Sequence, residues 1–153
     1  MPDVSAGDIH WMREALAEAR IAAEREEVPI GAVVTLDGRE IARAHNRTIM
    51  DCDPTAHAEM IALRSAAHTV GNYRLTRAEL YVTVEPCAMC AGAMVQARIA
   101  RVVYGCAEPK GGAAGTCFNI FEHPMINHRV TVTGGILAEE CAQVLQQFFA
   151  ARR

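Results

Sequence analysis

The most constraining stretch of the chain runs from Leu80 to Gly105. A β-rich run, Leu80 to Val84, stops before Pro86, a helical segment follows to about Arg98, and a short apolar strand spans Arg101 to Gly105. Pro86 suits the first position of that helix. Parallel strands need a crossover of about a dozen residues or more, which the segment from Cys87 to Arg98 supplies. The chain is thereby placed in the layered α/β class.

The flanking patterns extend this frame. Ser5 followed by Asp8 resembles a capping box, and Met12, Leu16, Ala19 and Ala23 recur at helical spacing, so a first helix should run to about Glu27. Pro29 ends it. Ile30 to Leu36 and Arg39 to His45 then read as two strands joined by a turn at Asp37-Gly38. Asp51 to Pro54 is a loop, and Thr55 to Ala67 a helix with Ile61 on its apolar side. Beyond a Gly-rich loop at Gly111 to Gly115 come a short helical turn, a strand at Val130 to Thr133 and a terminal helix from Ala138 to Ala150. The pattern predicts a mainly parallel sheet behind a leading hairpin. With 153 residues, 51% of them apolar, and neither repeat nor linker, a single domain over residues 1–153 is expected, and disordered and fibrous classes are excluded.

The net charge of −3 argues against indiscriminate binding to polyanions. It conceals a polarity: residues 1–60 carry 12 acids and 6 bases, a net of −6, whereas residues 61–153 carry 6 acids and 9 bases, a net of +3. The basic half includes Lys110, Arg129, Arg152 and Arg153. Met1 to Ala6 shows no basic region followed by an apolar stretch, and no apolar run approaches membrane-spanning length, so a cytoplasmic location with reduced thiols is expected.

Reduced thiols favour metal binding over disulfides for a close cysteine pair. Two motifs open two helices: His57-Ala58-Glu59, and Pro86-Cys87-Ala88-Met89-Cys90. At this composition His-x-Glu is expected by chance about 0.5 times, and Pro-Cys-x-x-Cys only about 0.01 times. The second motif therefore carries the specificity. Cys87 and Cys90 share one helix face, and the free N–H groups of a first turn favour the thiolate that a metal requires. Zinc suits these donors, with His57 as a third ligand and a fourth position left to water, as in catalytic sites. Glu59, two residues from that ligand, is placed to accept a proton from the bound water. The alternative is a closed site whose fourth ligand is Cys52, Cys106, His45, His68, His123 or His128. The default for Cys52, Cys106, Cys117 and Cys141 is a buried, inert thiol.

His-x-Glu followed by Pro-Cys-x-x-Cys is the signature of zinc nucleobase deaminases. The sequence resembles the bacterial tRNA adenosine deaminase family, in the cytidine/deoxycytidylate deaminase superfamily, from Trp11 almost to the C-terminus. The likeness lies in Val28-Pro29-Ile30-Gly31-Ala32-Val33, Asn46-Arg47, Asp53-Pro54-Thr55-Ala56-His57-Ala58-Glu59 and Asn72-Tyr73-Arg74-Leu75. It continues in Leu80 to Cys87, Cys90-Ala91-Gly92-Ala93-Met94, Arg101 to Gly105, Asn127-His128-Arg129-Val130 and Phe148-Phe149. The Asn-His-Arg segment and the paired Phe point to the tRNA branch.

The resemblance implies a cytidine deaminase-like three-layer α/β/α sandwich with a mixed five-stranded sheet. It implies hydrolytic conversion of the wobble adenosine of a tRNA anticodon, usually of an arginine tRNA, to inosine, with one zinc per chain held by His57, Cys87 and Cys90 and with Glu59 as proton shuttle. Asn46 and the backbone at Ala58 would hold the flipped base and its ribose. Glu108, where the family usually has Asp, Lys110 and Asn127 match positions that touch the substrate, and Phe149 and Arg152 lie on the helix that flanks it. A homodimer with substrate contacts from both subunits is implied too. For Phe149 core packing is the competing reading, for Arg152 a solvated helix end, and for Gly111 to Gly115 a plain turn rather than a substrate loop. Competing functions are deamination of a free base or nucleotide, of guanine or cytosine type, and a non-catalytic RNA-binding subunit that keeps zinc for folding.

Overall fold

A computed structural model describes residues 5–152; Met1 to Val4, and Arg153 of the basic half, lie outside the described residues. The elements are α1 (Ala6–Glu24), β1 (Gly31–Leu36), β2 (Arg39–His45), α2 (Ala58–Val70), β3 (Glu79–Val84), α3 (Ala88–Ala97), β4 (Arg101–Cys106), β5 (Thr131–Thr133) and α4 (Ala138–Ala150), with a 3-10 turn at Ile120–Glu122. The strands form one sheet in the order β2-β1-β3-β4-β5. β1 runs antiparallel to both β2 and β3, while β3–β4 and β4–β5 are parallel. The sheet is therefore evenly mixed rather than mainly parallel, because the leading hairpin joins its edge by an antiparallel contact.

Strand periodicity sorts the side chains into two cores. Val33, Tyr81 and Val103 form one row across β1, β3 and β4 and pack with Met12, Leu16 and Cys141 under α1 and α4. The next row, Val34, Leu80 and Val102, faces the other way, onto Ala62, Leu63, Met94 and Val95 of α2 and α3. The result is the expected three-layer α/β/α arrangement. Among the described residues no helix is long and apolar enough to cross a membrane.

Local chemistry explains the element boundaries. Ser5 caps α1 by accepting the Asp8 N–H at 3.0 Å. Asp8 does not complete the reciprocal capping box. Its carboxylate instead meets the Arg101 guanidinium in two contacts of 2.8 Å and accepts the Tyr81 hydroxyl at 3.2 Å. The helix α1 stops at Glu24, short of the expected Glu27, and Glu26 turns left-handed with φ 61°. Glu27, buried, accepts the N–H groups of Ile49 at 3.1 Å and Met50 at 2.7 Å, and so fixes the loop after β2. Asp37-Gly38 makes the hairpin turn, both residues at positive φ.

Since β2 and β3 both run antiparallel to β1, and β4 runs parallel to β3, the strand ends at His45, Val84 and Cys106 lie on one edge of the sheet. The chain leaves that edge into α3 directly and into α2 through the loop that Glu27 holds. Both helix N-termini therefore converge there.

Candidate active site

His57 and Cys87 occupy equivalent places, each as the N-cap of its helix in extended conformation and without a side-chain capping bond. The helix starts expected at Thr55 and Pro86 both lie too early, since α2 begins at Ala58 and α3 at Ala88. In the structure Asp53 Oδ1 accepts the Thr55 N–H at 2.8 Å and its hydroxyl at 2.7 Å, a turn that keeps Thr55 out of the helix. Pro86 precedes the N-cap rather than opening the helix. Cys87 and Cys90 thus stand at N-cap and N3, where unpaired first-turn N–H groups and the positive helix end favour a thiolate.

The three expected ligands come together. His57 Nδ1 lies 3.6 Å from Cys87 Sγ and 3.5 Å from Cys90 Sγ, and all three donor atoms lie within 4.8 Å of one another. Tetrahedral bonds of the usual zinc–nitrogen and zinc–sulfur lengths would separate a nitrogen and a sulfur by about 3.6 Å. The donor set fits that ion in both chemistry and spacing. No fourth donor joins the group among the described residues, so Cys52, Cys106, His45, His68, His123 and His128 do not close it. The hydrogen bond from Cys90 and the His57 ring hold the Cys87 thiol well below its ordinary range. That same bond and burial push Cys90 up.

Glu59, in the first turn of α2, is 4% exposed and opens onto the cavity that His57 and Cys87 line. Burial raises its carboxyl to about 7. The cavity, of about 100 Å³, is completed by Ile30, Val84, Glu85 and Glu108. The remaining expected residues fall in three groups. Asn46 is buried beside the cavity, its N–H on the Ile30 carbonyl at 3.0 Å, and Ala58 is the first helical residue of α2, with an N–H that the helix itself leaves free. Glu108 enters the lining and accepts the backbone N–H of Lys110 at 2.9 Å, and Lys110 itself is exposed. Asn127, Phe149 and Arg152 do not line the cavity.

Asn127 is exposed on a loop whose carbonyls, at Phe121 and His123, are gripped by Arg129. Phe149 is 46% exposed, since Phe148 takes the core position that periodicity offered to either. Arg152 is not a free solvated end: its guanidinium lies 3.4 Å from the centroid of the Phe148 ring and donates to the Phe148 carbonyl at 3.0 Å. Of the unassigned thiols, Cys106 and Cys141 are buried as expected. Cys52, at a turn tip with φ 48°, and Cys117, just after the Gly-rich loop, are exposed instead.

One lining residue was not anticipated. Glu85, 3% exposed, accepts hydrogen bonds from the backbone of Glu108, Ala114 and Thr116 and from the Thr116 hydroxyl. The only sequence signal was its place next to Pro86-Cys87. The segment Gly111–Gly115 is accordingly neither a plain turn nor loose, but a loop fastened to the edge of the site.

With this geometry, comparison with known proteins is specific. Residues 7–153 match the MafB19-like deaminase family. The chain is 51% identical over 144 residues to the tRNA-specific adenosine deaminase of Agrobacterium fabrum, covering 94% of this chain and 95% of that one. It is 47% identical over 143 residues to the tRNA-specific adenosine deaminase of Bacillus subtilis, with 94% and 89% covered. A solved structure from work on A-to-I editing by tRNA:A34 deaminases at the wobble position of transfer RNA superposes with a TM-score of 0.86 at 51% identity, over 89% of this chain and 99% of that one. The chain belongs to the MafB19-like deaminase family, in the group of tRNA-specific adenosine deaminases.

Proposed function

We propose that this chain is a zinc-dependent enzyme that converts adenosine to inosine at the wobble position of a tRNA anticodon, with an arginine tRNA as substrate, and that it works in the cytoplasm as a single-domain protein. The observation that carries the reading is a three-donor group with Glu59 buried in the same cavity, in a chain half identical to tRNA-specific adenosine deaminases.

His57, Cys87 and Cys90 would hold one zinc ion per chain, which supplies a Lewis acid that makes water nucleophilic near neutral pH. Glu59 does the proton work: its carboxyl takes a proton from water, delivers one to the adenine ring nitrogen and passes one to the departing amine. A carboxyl raised to about 7 suits transfer in both directions. The Asn46 side chain and the Ala58 N–H orient the base and ribose, Glu108 meets the ribose, and Lys110, Asn127, Phe149 and Arg152 meet the anticodon loop. We also infer that a second copy of the chain covers the apolar groove between α2 and α3, lined by Met60, Leu63, Ala67, Leu75, Ala93 and Ala97.

The test offers tRNA, guanine and cytidine to the zinc-loaded protein and identifies the products by mass spectrometry. Inosine at the wobble position is expected. Turnover of a free base without inosine in tRNA would overturn the reading.

A further inference from the structure

Glu85 stands immediately before the metal-binding helix and is buried, a costly position for a carboxylate without partners. Its partners are complete. Oε1 takes the Glu108 N–H at 3.1 Å and the Thr116 hydroxyl, and Oε2 takes the N–H groups of Ala114 at 2.9 Å and Thr116 at 3.2 Å. A carboxylate offers about four lone-pair positions, so these donors fill it. Glu85 therefore has no oxygen to spare for a substrate proton, although it lines the same cavity as Glu59.

All four donors come from one loop. It is tied to the same segment on either side, because the Glu85 N–H donates to the Cys106 carbonyl at 2.9 Å and the Ala113 N–H to the Pro86 carbonyl at 2.9 Å. Gly112 lets the loop lie this close: a Cβ there would stand 2.5 Å from the Glu85 carboxylate. The loop carries Glu108, which lines the cavity, and the exposed Lys110, whose N–H is held by the Glu108 carboxylate.

We propose that Glu85 is a positioning residue for RNA: by accepting four hydrogen bonds from residues 108–116 it sets the loop that presents Glu108 and Lys110 to the anticodon. The proposal rests on the deaminase reading for its substrate and on hydrogen bonding alone for its anchor. Glu85→Gln replaces one acceptor oxygen by an amide that faces N–H or O–H donors, so the loop loses charge-assisted bonds and opens more often.

The experiment uses the full zinc-loaded chain and three variants, Glu85→Gln, Thr116→Val and Thr116→Ser. It reads hydrogen exchange of the loop amides, steady-state kinetics on tRNA and bound zinc. In Glu85→Gln the amides of Glu108, Ala114 and Thr116 should exchange at least about tenfold faster. KM for tRNA should rise about tenfold, with kcat within about threefold and zinc unchanged, because the lost contacts hold ground state and transition state alike. Thr116 is exposed, so Thr116→Val tests the anchor without a buried change; it should move exchange and KM in the same direction, and Thr116→Ser should restore both. A fall in kcat with KM unchanged, or unaltered loop exchange in Glu85→Gln, would overturn the proposal. A wild type that edits no tRNA would overturn the deaminase reading instead; faster loop exchange in Glu85→Gln would then still support the anchor.

Discussion

Two buried carboxylates, Glu59 and Glu85, line one cavity and are driven apart by their surroundings. Burial acts on both. For Glu59 it prevails and lifts the carboxyl to about 7; for Glu85 it is outweighed by the hydrogen bonds from Thr116, Glu108 and Ala114, which hold the carboxyl below its ordinary value. Groups whose environments separate them in this way suit different tasks, and the one poised near neutrality is the carboxyl to which we assign the proton transfers. Replacing Glu59 by Gln should lower kcat on tRNA by about 10²–10⁴-fold. It should leave one zinc per chain, because Glu59 is not among the three donors, whereas Cys87→Ala should lose the metal and the activity together. Metal analysis beside single-turnover kinetics checks both. Full deamination by Glu59→Gln would remove it from the proton path.

At the scale of elements, the ion pair between Asp8 and Arg101 joins the start of α1 to the start of β4 and adds Glu79 of β3 at 3.1 Å. The Asp8 side chain is 2% exposed and that of Arg101 22%, so breaking the pair strands a charge in a mostly dry place. Asp8→Asn should cost about 2–4 kcal/mol at pH 7. Hydrogen bonding to Arg101 holds the folded-state pKa of Asp8 below its ordinary value. The contribution is therefore complete above the unfolded carboxyl value of about 3.9 and fades only as the pH falls through the lower folded value. Urea unfolding of wild type and variant should show a gap that is constant from pH 7 to about pH 5 and closes in stronger acid; equal midpoints at pH 7 would refute it. Such a pair was invisible in the sequence, since Asp8 looked like half of a capping box and its partner lies 93 positions away. The cluster able to hold a metal was legible because helix spacing fixes Cys87 against Cys90. The starts of α2 and α3 were misplaced because His and Cys are unusual N-caps and make no capping bond there. Glu85 was missed for the reason Asp8 was misread: its partners, 23 to 31 residues downstream, follow no period.

Across the whole molecule, the charge polarity of the chain becomes a polarity of the sheet. The acidic first 60 residues build β2 and β1 at one edge, and the more basic remainder supplies β3, β4 and β5. Part of the charge is consumed between the halves, in Arg13–Glu140, Arg77–Asp37 and Arg101–Asp8. Arg129 and Arg152 both donate to backbone carbonyls, whereas Lys110 and Phe149 are exposed and stand among the groups proposed to meet RNA. So small a surface is a weak grip for a tRNA, and a second subunit would enlarge it. The groove between α2 and α3 offers the seat: it is apolar, with Tyr73, 70% exposed, at its rim. Light scattering should report a dimer at micromolar concentration, and Ala97→Arg, which sets a charge in that groove, should yield a monomer that keeps its zinc. If both subunits contact one anticodon stem, the monomer should also show kcat/KM for tRNA reduced about tenfold or more, chiefly through KM. A wild-type chain that stays monomeric, or an Ala97→Arg dimer, would place the interface elsewhere or remove it.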